Sequence, residues 1–258
     1  MSPEIAPPRD TVYVSHFAAW APGVETPAEW KEWAEGKRKI TISGESPSLN
    51  FTDWFGLGPR EVMMFKRRLS QISKMVIQVI HDIMPFGENV KMTFVSFRGE
   101  ITQQFKINKM LVEEGDIRPA AFSQSVFNTP PALASIAFNL RAGYSALYPS
   151  RFDSGFMAAA APLLSGAVAA SAAGETVLVY ADELCPPEYP RPNRSSFPLE
   201  PSSPSEPSFP LEPLAFAVLL SAKPPEAGIS PVRPVSLGRN IPASPEDFLK
   251  YLYSGVNP

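Results

Sequence analysis

Thirty of the 258 residues are proline, and ten of those thirty fall within the 28 residues from Pro186 to Pro213. Proline fixes φ and carries no N–H, so such a stretch cannot supply helical or ladder hydrogen bonds at every step. It reads as an extended loop inserted at about 186–213. Inside it the hexapeptide Ser-Phe-Pro-Leu-Glu-Pro occurs twice, starting at Ser196 and at Ser208. A proline-binding module could recognise such a repeat, but an insertion in a surface connection is the plainer reading.

Outside this stretch the chain alternates between two periodicities. Val12, Val14 and Phe17 open a short apolar strand. Thr26-Pro27-Ala28-Glu29 is a helix start, with a capping hydroxyl, proline at the first helical position and glutamate three residues on. Trp30 and Trp33 share one face of that helix, and Gly36 ends it. From Arg60 to Ile83 the apolar residues Val62, Phe65, Leu69, Ile72, Val76, Val79 and Ile83 lie three or four apart, which predicts one continuous helix. Val90–Phe97 reads as a buried strand, Ile101–Val112 as a helix, Ala132–Leu140 as a helix and Tyr144–Tyr148 as a strand. Phe156–Ala173 is apolar all round, which predicts a helix buried on every side. Thr176–Ala181 and Leu214–Ser221 read as strands, and Ser244-Pro245-Glu246-Asp247 opens a last helix carrying Phe248, Leu249 and Leu252. Alternating strands and helices imply an α/β layered fold, here one domain over 1–258 with a central helix inside it.

With 44% hydrophobic and 19% charged residues, the chain can bury a sizeable core and is not a disordered polymer. A net charge of −3, with Lys66-Arg67-Arg68 a short basic run and no longer basic stripe, argues against a nucleic-acid partner. One cysteine, Cys185, excludes a disulfide framework and multi-cysteine zinc patterns, and two histidines leave little for a metal site. The uncharged stretches Pro119–Leu140 and Ser154–Gly174 are broken by proline, glycine and polar residues, so no membrane span is expected. The N-terminal residues carry no signal-peptide pattern. A cytoplasmic location is the expectation.

Catalytic motifs are scarce. Gly143-Tyr144-Ser145-Ala146-Leu147 is a poor nucleophile elbow, because leucine stands where the turn needs a small residue and no histidine follows it. Cys185 is flanked by Asp182, Glu183 and Glu188, the wrong sign for lowering a thiol pKa. Asp182 and Glu183, adjacent at a strand end, point to opposite faces and are not expected to share a proton with each other.

The order of segments resembles the N-terminal half of the β-ketoacyl synthases, condensing enzymes with the thiolase fold. It is more similar still to the short ketosynthase-like N-terminal-domain family of aryl polyene clusters. The resemblance rests on Ser15-His16-Phe17-Ala18-Ala19-Trp20-Ala21-Pro22-Gly23, on Arg67-Arg68-Leu69-Ser70 and on Ser96-Phe97-Arg98-Gly99-Glu100. Its strongest piece is Pro119-Ala120-Ala121-Phe122-Ser123-Gln124-Ser125-Val126-Phe127-Asn128, followed by Leu140-Arg141-Ala142-Gly143 where ketosynthases have Leu-Arg-Gly-Pro. The match spans roughly Val12 to Ser221.

What the resemblance implies turns on the departures from it. Ketosynthases carry a nucleophilic cysteine where the buried helix begins. Here the turn is Ser150-Arg151-Phe152-Asp153-Ser154-Gly155, which puts Phe152 or, without a gap, Arg151 at that position. Neither can form a thioester. The family's later half, with its two active-site histidines, has no counterpart, and no histidine follows Gly155. The resemblance thus implies a truncated, thiolase-like layered domain without a catalytic residue of its own. It would be similar to the chain length factor of type II polyketide synthases. Its implied partner is a full-length ketosynthase, with acyl carrier protein as a further candidate partner. The implied interface and acyl-tunnel residues are Phe122, Val126, Phe127, Asn128, Thr129 and Leu133, with Phe127 as the tunnel floor. No cofactor would bind directly, since the substrate would ride on the phosphopantetheine arm of the carrier protein. Two other readings stand beside this one: an acyl-transfer enzyme acting through Cys185 or Ser145, and a scaffold that uses the proline repeat.

Overall fold

The structure is a computed structural model that describes residues 11–52, 54, 57–164, 174–188, 212–224, 233–237 and 241–255. Residues 189–211 of the proline-rich insertion, with both hexapeptides' starts, and 165–173 of the alanine run lie outside the described residues. The elements follow in the order β1 (Thr11–Trp20), α1 (Pro27–Ala34), α2 (Pro59–Lys66), α3 (Gln71–Asp82), β2 (Lys91–Val95), α4 (Ile101–Glu114) and α5 (Pro119–Gln124). They continue with α6 (Thr129–Ala137), β3 (Tyr144–Leu147), α7 (Phe152–Leu164), β4 (Glu175–Asp182), β5 (Leu214–Ser221), β6 (Arg233–Ser236) and α8 (Pro245–Ser254).

The strands form one mixed six-stranded sheet in the order β3-β2-β4-β5-β1-β6. β2 pairs in parallel with β3 and β4, while β4–β5, β5–β1 and β1–β6 are antiparallel. All eight residues of β5 are buried, as a continuous apolar run in an inner strand requires. Because side chains alternate across a sheet, two cores result. On one face Met92, Phe94, Val177, Val179, Ala217 and Leu219 pack with α3 and α6. On the other Val95, Leu178, Tyr180, Phe216 and Val218 pack with Trp30 of α1, with α7 and with α8. The architecture is thus helix–sheet–helix, the α/β layering expected from the sequence.

The α1 start forms as its sequence dictates. Thr26 Oγ1 accepts from the Glu29 N–H at 3.3 Å, and Glu29 Oε2 accepts from the Thr26 N–H at 2.9 Å. Ile72, Met75, Val76, Ile77, Val79 and Ile80 of α3 are all fully buried, at about 1.5–3 kcal/mol each for a full-sized side chain.

Three expectations need correction. The single helix predicted over Arg60–Ile83 is two, because Ser70 caps α3 by accepting from the Ser73 N–H at 3.1 Å. Both pieces turn their apolar residues to the same core, so the periodicity runs unbroken across the break. The helix predicted from Phe156 begins four residues earlier, with Asp153 in its first turn, where a carboxylate suits the helix dipole. It is also not buried on every side. Phe152, Gly155, Phe156, Ala159, Ala160 and Leu163 face the sheet, whereas Ser154, Met157, Ala158, Ala161 and Leu164 form an open stripe. Met157 is 37% and Leu164 39% exposed. The reason is that the described chain supplies only one layer against this helix. The short elements α5 and β6 had no expectation attached to them.

Candidate functional site

A groove of about 450 Å³ opens between α4 and the segment after it, lined by Gln104, Ile107, Asn108, Ile117, Phe122, Ser125, Val126 and Phe127. Local chemistry folds this wall. Gly115, at φ +70°, closes α4 in a left-handed cap, and Pro119 then starts α5. Ser125 Oγ donates to the Phe122 carbonyl at 2.8 Å, and Thr129 Oγ1 to the Ser123 carbonyl at 3.0 Å, so residues 118–129 turn back tightly on themselves. Gln104 Nε2 ties α4 to this turn through the Ser125 carbonyl at 3.4 Å.

Of the six residues nominated from sequence, Phe122, Val126 and Phe127 line the groove. Phe122 is 59% and Val126 40% exposed, a high price in solvent contact for an aromatic and a β-branched side chain on a free surface. Asn128 and Thr129 lie beside the groove. Asn128 Nδ2 donates to the Tyr144 hydroxyl at 3.2 Å, which ties this segment to the edge strand β3. Leu133 lies half-buried against the core under α3 and α6 and does not line the groove. Phe127 is wedged: its ring centroid lies 5.9 Å from that of Phe94 and 6.0 Å from that of Tyr148. A Cβ on Gly99 would come within 2.5 Å of its Cδ2. Gly99 also sits at φ +57°, so glycine serves both backbone and contact there.

Behind this wall lies a group of buried acids. Asp182 organises the loop from Ser96 to Gly99. It accepts from Ser96 Oγ at 2.7 Å, the Phe97 N–H at 3.1 Å, the Arg98 N–H at 2.9 Å and the Tyr180 hydroxyl at 2.5 Å. Glu183 turns the other way, as expected of its neighbour on a strand end, and accepts from the Thr102 N–H at 2.9 Å. Its charge acts there on Glu100, whose Oε1 accepts from Ser70 Oγ at 2.7 Å and Ser73 Oγ at 2.9 Å. Burial, and next the charge of Glu183, push Glu100 up to about 8; burial pushes Glu183 up to about 7. Sequence reasoning missed this coupling of Glu100 with Glu183, which are 83 positions apart in the numbering. The one available signal was Glu100 closing the Ser96-Phe97-Arg98-Gly99-Glu100 segment.

At the start of α7, Phe152 is fully buried. Its ring centroid lies 5.8 Å from those of Phe216 and Phe248 and 5.9 Å from that of Tyr180. Arg151 instead faces solvent, its Nη2 3.0 Å from Asp153 Oδ2. Ser145 lies within β3, opposite Thr93, and not at a strand-to-helix turn. Cys185 is half-buried in the segment after β4. No helix among the described residues is long and apolar enough to cross a membrane.

The family model described as "Beta-ketoacyl synthase, N-terminal domain" matches residues 30–229. A comparison with curated proteins found no match. Among solved structures, a chain of the ketosynthase (ApeO) in complex with its chain length factor (ApeC) from Xenorhabdus doucetiae is similar at TM-score 0.60 and 18% identity, over 95% of this chain and 92% of that one. A chain of the ishigamide ketosynthase/chain length factor is similar at TM-score 0.53 and 11% identity, over 83% of this chain and 64% of that one. A third likeness, at TM-score 0.51 and 15% identity over 83% of this chain and 64% of that one, is to a type II acyl-carrier protein in complex with its ketosynthase bound to the hexaketide. At these identities the likenesses show the fold.

Proposed function

The chain belongs to the β-ketoacyl synthase N-terminal-domain family, and on that premise we propose that it is a non-catalytic, chain-length-factor-like subunit that pairs with a complete ketosynthase in polyketide synthesis. The observation that carries this reading is the start of α7. A nucleophile there would need a side chain that reaches substrate, but Phe152 is fully buried and fills the core between Tyr180, Phe216 and Phe248. Its neighbour Arg151 carries no nucleophile at neutral pH.

The surface favours pairing. Phe122, Val126, Ile136 and Tyr148 stand exposed around the groove and the β3 edge, and Met157 and Leu164 along the open stripe of α7. β3 ends the sheet, so its outer backbone groups have no strand beside them among the described residues. The solved complexes with similar chains pair a ketosynthase with a chain length factor.

The mechanism is steric and solvating. A growing acyl chain, carried on the phosphopantetheine arm of an acyl carrier protein and extended at the partner's active site, would run along the groove. Ile107, Phe122 and Val126 replace water on its flanks, and Phe127, held by Gly99, limits its length. The aryl polyene class of product and a cytoplasmic location complete the proposal. Co-expression of the full chain with the full-length ketosynthase of its own gene cluster tests it, with one subunit tagged and the complex weighed by light scattering. A stable one-to-one complex that Phe122→Arg weakens is the expected result. Equal recovery of ketosynthase with wild type and Phe122→Arg, or no complex at all, would overturn it.

A further inference from the structure

Glu100 has no solvent exposure, yet its two carboxyl oxygens are treated unequally. Two serine hydroxyls from the start of α3 reach Oε1, while buried Oε2 has no hydrogen-bond partner among the described residues. Glu183, 1% exposed, reaches the same space from the end of β4. It accepts from the Thr102 N–H in the first turn of α4 and from the backbone N–H of Ile72 in α3. The charged groups acting on the pair are few. Lys106 of α4 acts on both, Glu183 acts on Glu100, and Asp182 is occupied on the opposite side by Ser96, Tyr180 and Arg98. No ion pair with Glu100 or Glu183 occurs among the described residues. Two carboxylates buried on the same two helix ends, with no ion pair to either, cannot both stay ionised without a large desolvation cost.

We propose that Glu100 and Glu183 are a protonated acid pair that acts as a pH-sensitive latch, joining the N-termini of α3 and α4 behind the groove. With a proton, Glu100 keeps its serine donors on Oε1 and gains an O–H on the side where no donor reaches it. When both acids ionise, α3 and α4 are the elements driven apart, and α4 contributes Gln104, Ile107 and Asn108 to the groove. The latch stands on the buried geometry alone. Its consequence for partner binding rests on the proposed function.

The direction of the pH effect follows from both acids being raised from 4.5 in the folded chain. The folded state keeps protons that the unfolded chain releases, so this contribution is fully present below pH 4.5 and is lost as pH rises. Between pH 4.5 and about 7 both groups act, and the folding constant falls by up to about a hundredfold per pH unit. From there to about 8 only Glu100 acts, at up to about tenfold per unit.

The test compares urea unfolding of the full chain with that of Glu100→Gln from pH 5 to 8, beside infrared spectra of the carboxylic C=O stretch. Glutamine keeps the shape of the neutral acid and cannot ionise. The folding constant of Glu100→Gln should gain on wild type by about a few hundredfold from pH 5 to pH 8. A protonated-carboxyl band present in wild type at pH 7 should shrink in the variant. Parallel pH curves, or no such band in wild type, would overturn the proposal. Should Glu100→Gln not fold, Glu183→Gln provides the same comparison, expected to gain on wild type between pH 5 and 7. Both readouts use this chain alone, so they fail independently of the pairing.

Discussion

Replacing Phe152 with alanine removes the side chain at the position on which the functional reading depends. Phe152 is fully buried and makes close aromatic contacts: edge-on with Tyr180 and Phe216, tilted with Phe248 and Phe156. A buried Phe→Ala change costs about 3–5 kcal/mol in transfer and cavity terms. Each well-placed aromatic pair adds about 0.5–1.5 kcal/mol beyond its area, which puts this site near the upper end. Against a total stability of about 5–15 kcal/mol, the variant is left marginal. In a chain of 258 residues a loss of about 4–5 kcal/mol lowers Tm by roughly 8–20 °C. The assay is urea unfolding at constant m-value, with Arg151→Ala as the internal comparison. Arg151 is 54% exposed in an ion pair with Asp153, so its removal should cost less than about 1 kcal/mol. If the two variants lose the same amount, or Phe152→Ala loses less than about 1 kcal/mol, Phe152 is not a core residue and the reasoning fails.

Other perturbations separate the parts of the site. Gly99→Ala forces a left-handed backbone at about 1 kcal/mol and pushes a Cβ into Phe127, so a loss of about 2–4 kcal/mol should appear in thermal unfolding. Gly155→Ala places a Cβ 2.9 Å from Val95 Cγ1 and should lift α7 from β2 at about 1–3 kcal/mol, read by urea midpoint. Asp182→Ala orphans the Ser96 and Tyr180 hydroxyls and two loop N–H groups, so at least about 3 kcal/mol should be lost in the same assay. Phe122→Ser, at a 59% exposed position, should change stability by under about 1 kcal/mol while lowering affinity for a ketosynthase in calorimetry.

The layered fold was legible wherever one physical signal acted alone. Short continuous apolar runs located β2, β4 and β5, a helical pattern located α4, and the capping box at Thr26 located α1. Boundaries failed where a side chain far away in sequence intervened, as at Ser70, whose cap position is held by Glu100. Composition misled at α7, because alanine and methionine look alike whether or not a second layer covers them. Phe122, Val126 and Phe127 were nominated from a family pattern and do converge on one groove, whereas Leu133 does not. The α4 side of that groove was out of reach, since nothing in Ile101–Glu114 alone says that Gln104 and Asn108 will face Phe122. Nor does local sequence reveal that Glu100 and Glu183 share a buried space, which only the parallel pairing of β2 with β4 brings about.

A chain-length-factor-like subunit shapes a reaction that its partner performs. Mass spectrometry of the co-expressed pair, after incubation with acyl-loaded carrier protein, reads this division of labour at each subunit. The expected result is an acyl adduct on the ketosynthase cysteine, none on this chain, and longer products when Phe127→Ala replaces the wild type. An acyl adduct on Cys185 or Ser145 of this chain, formed without the ketosynthase, would contradict it.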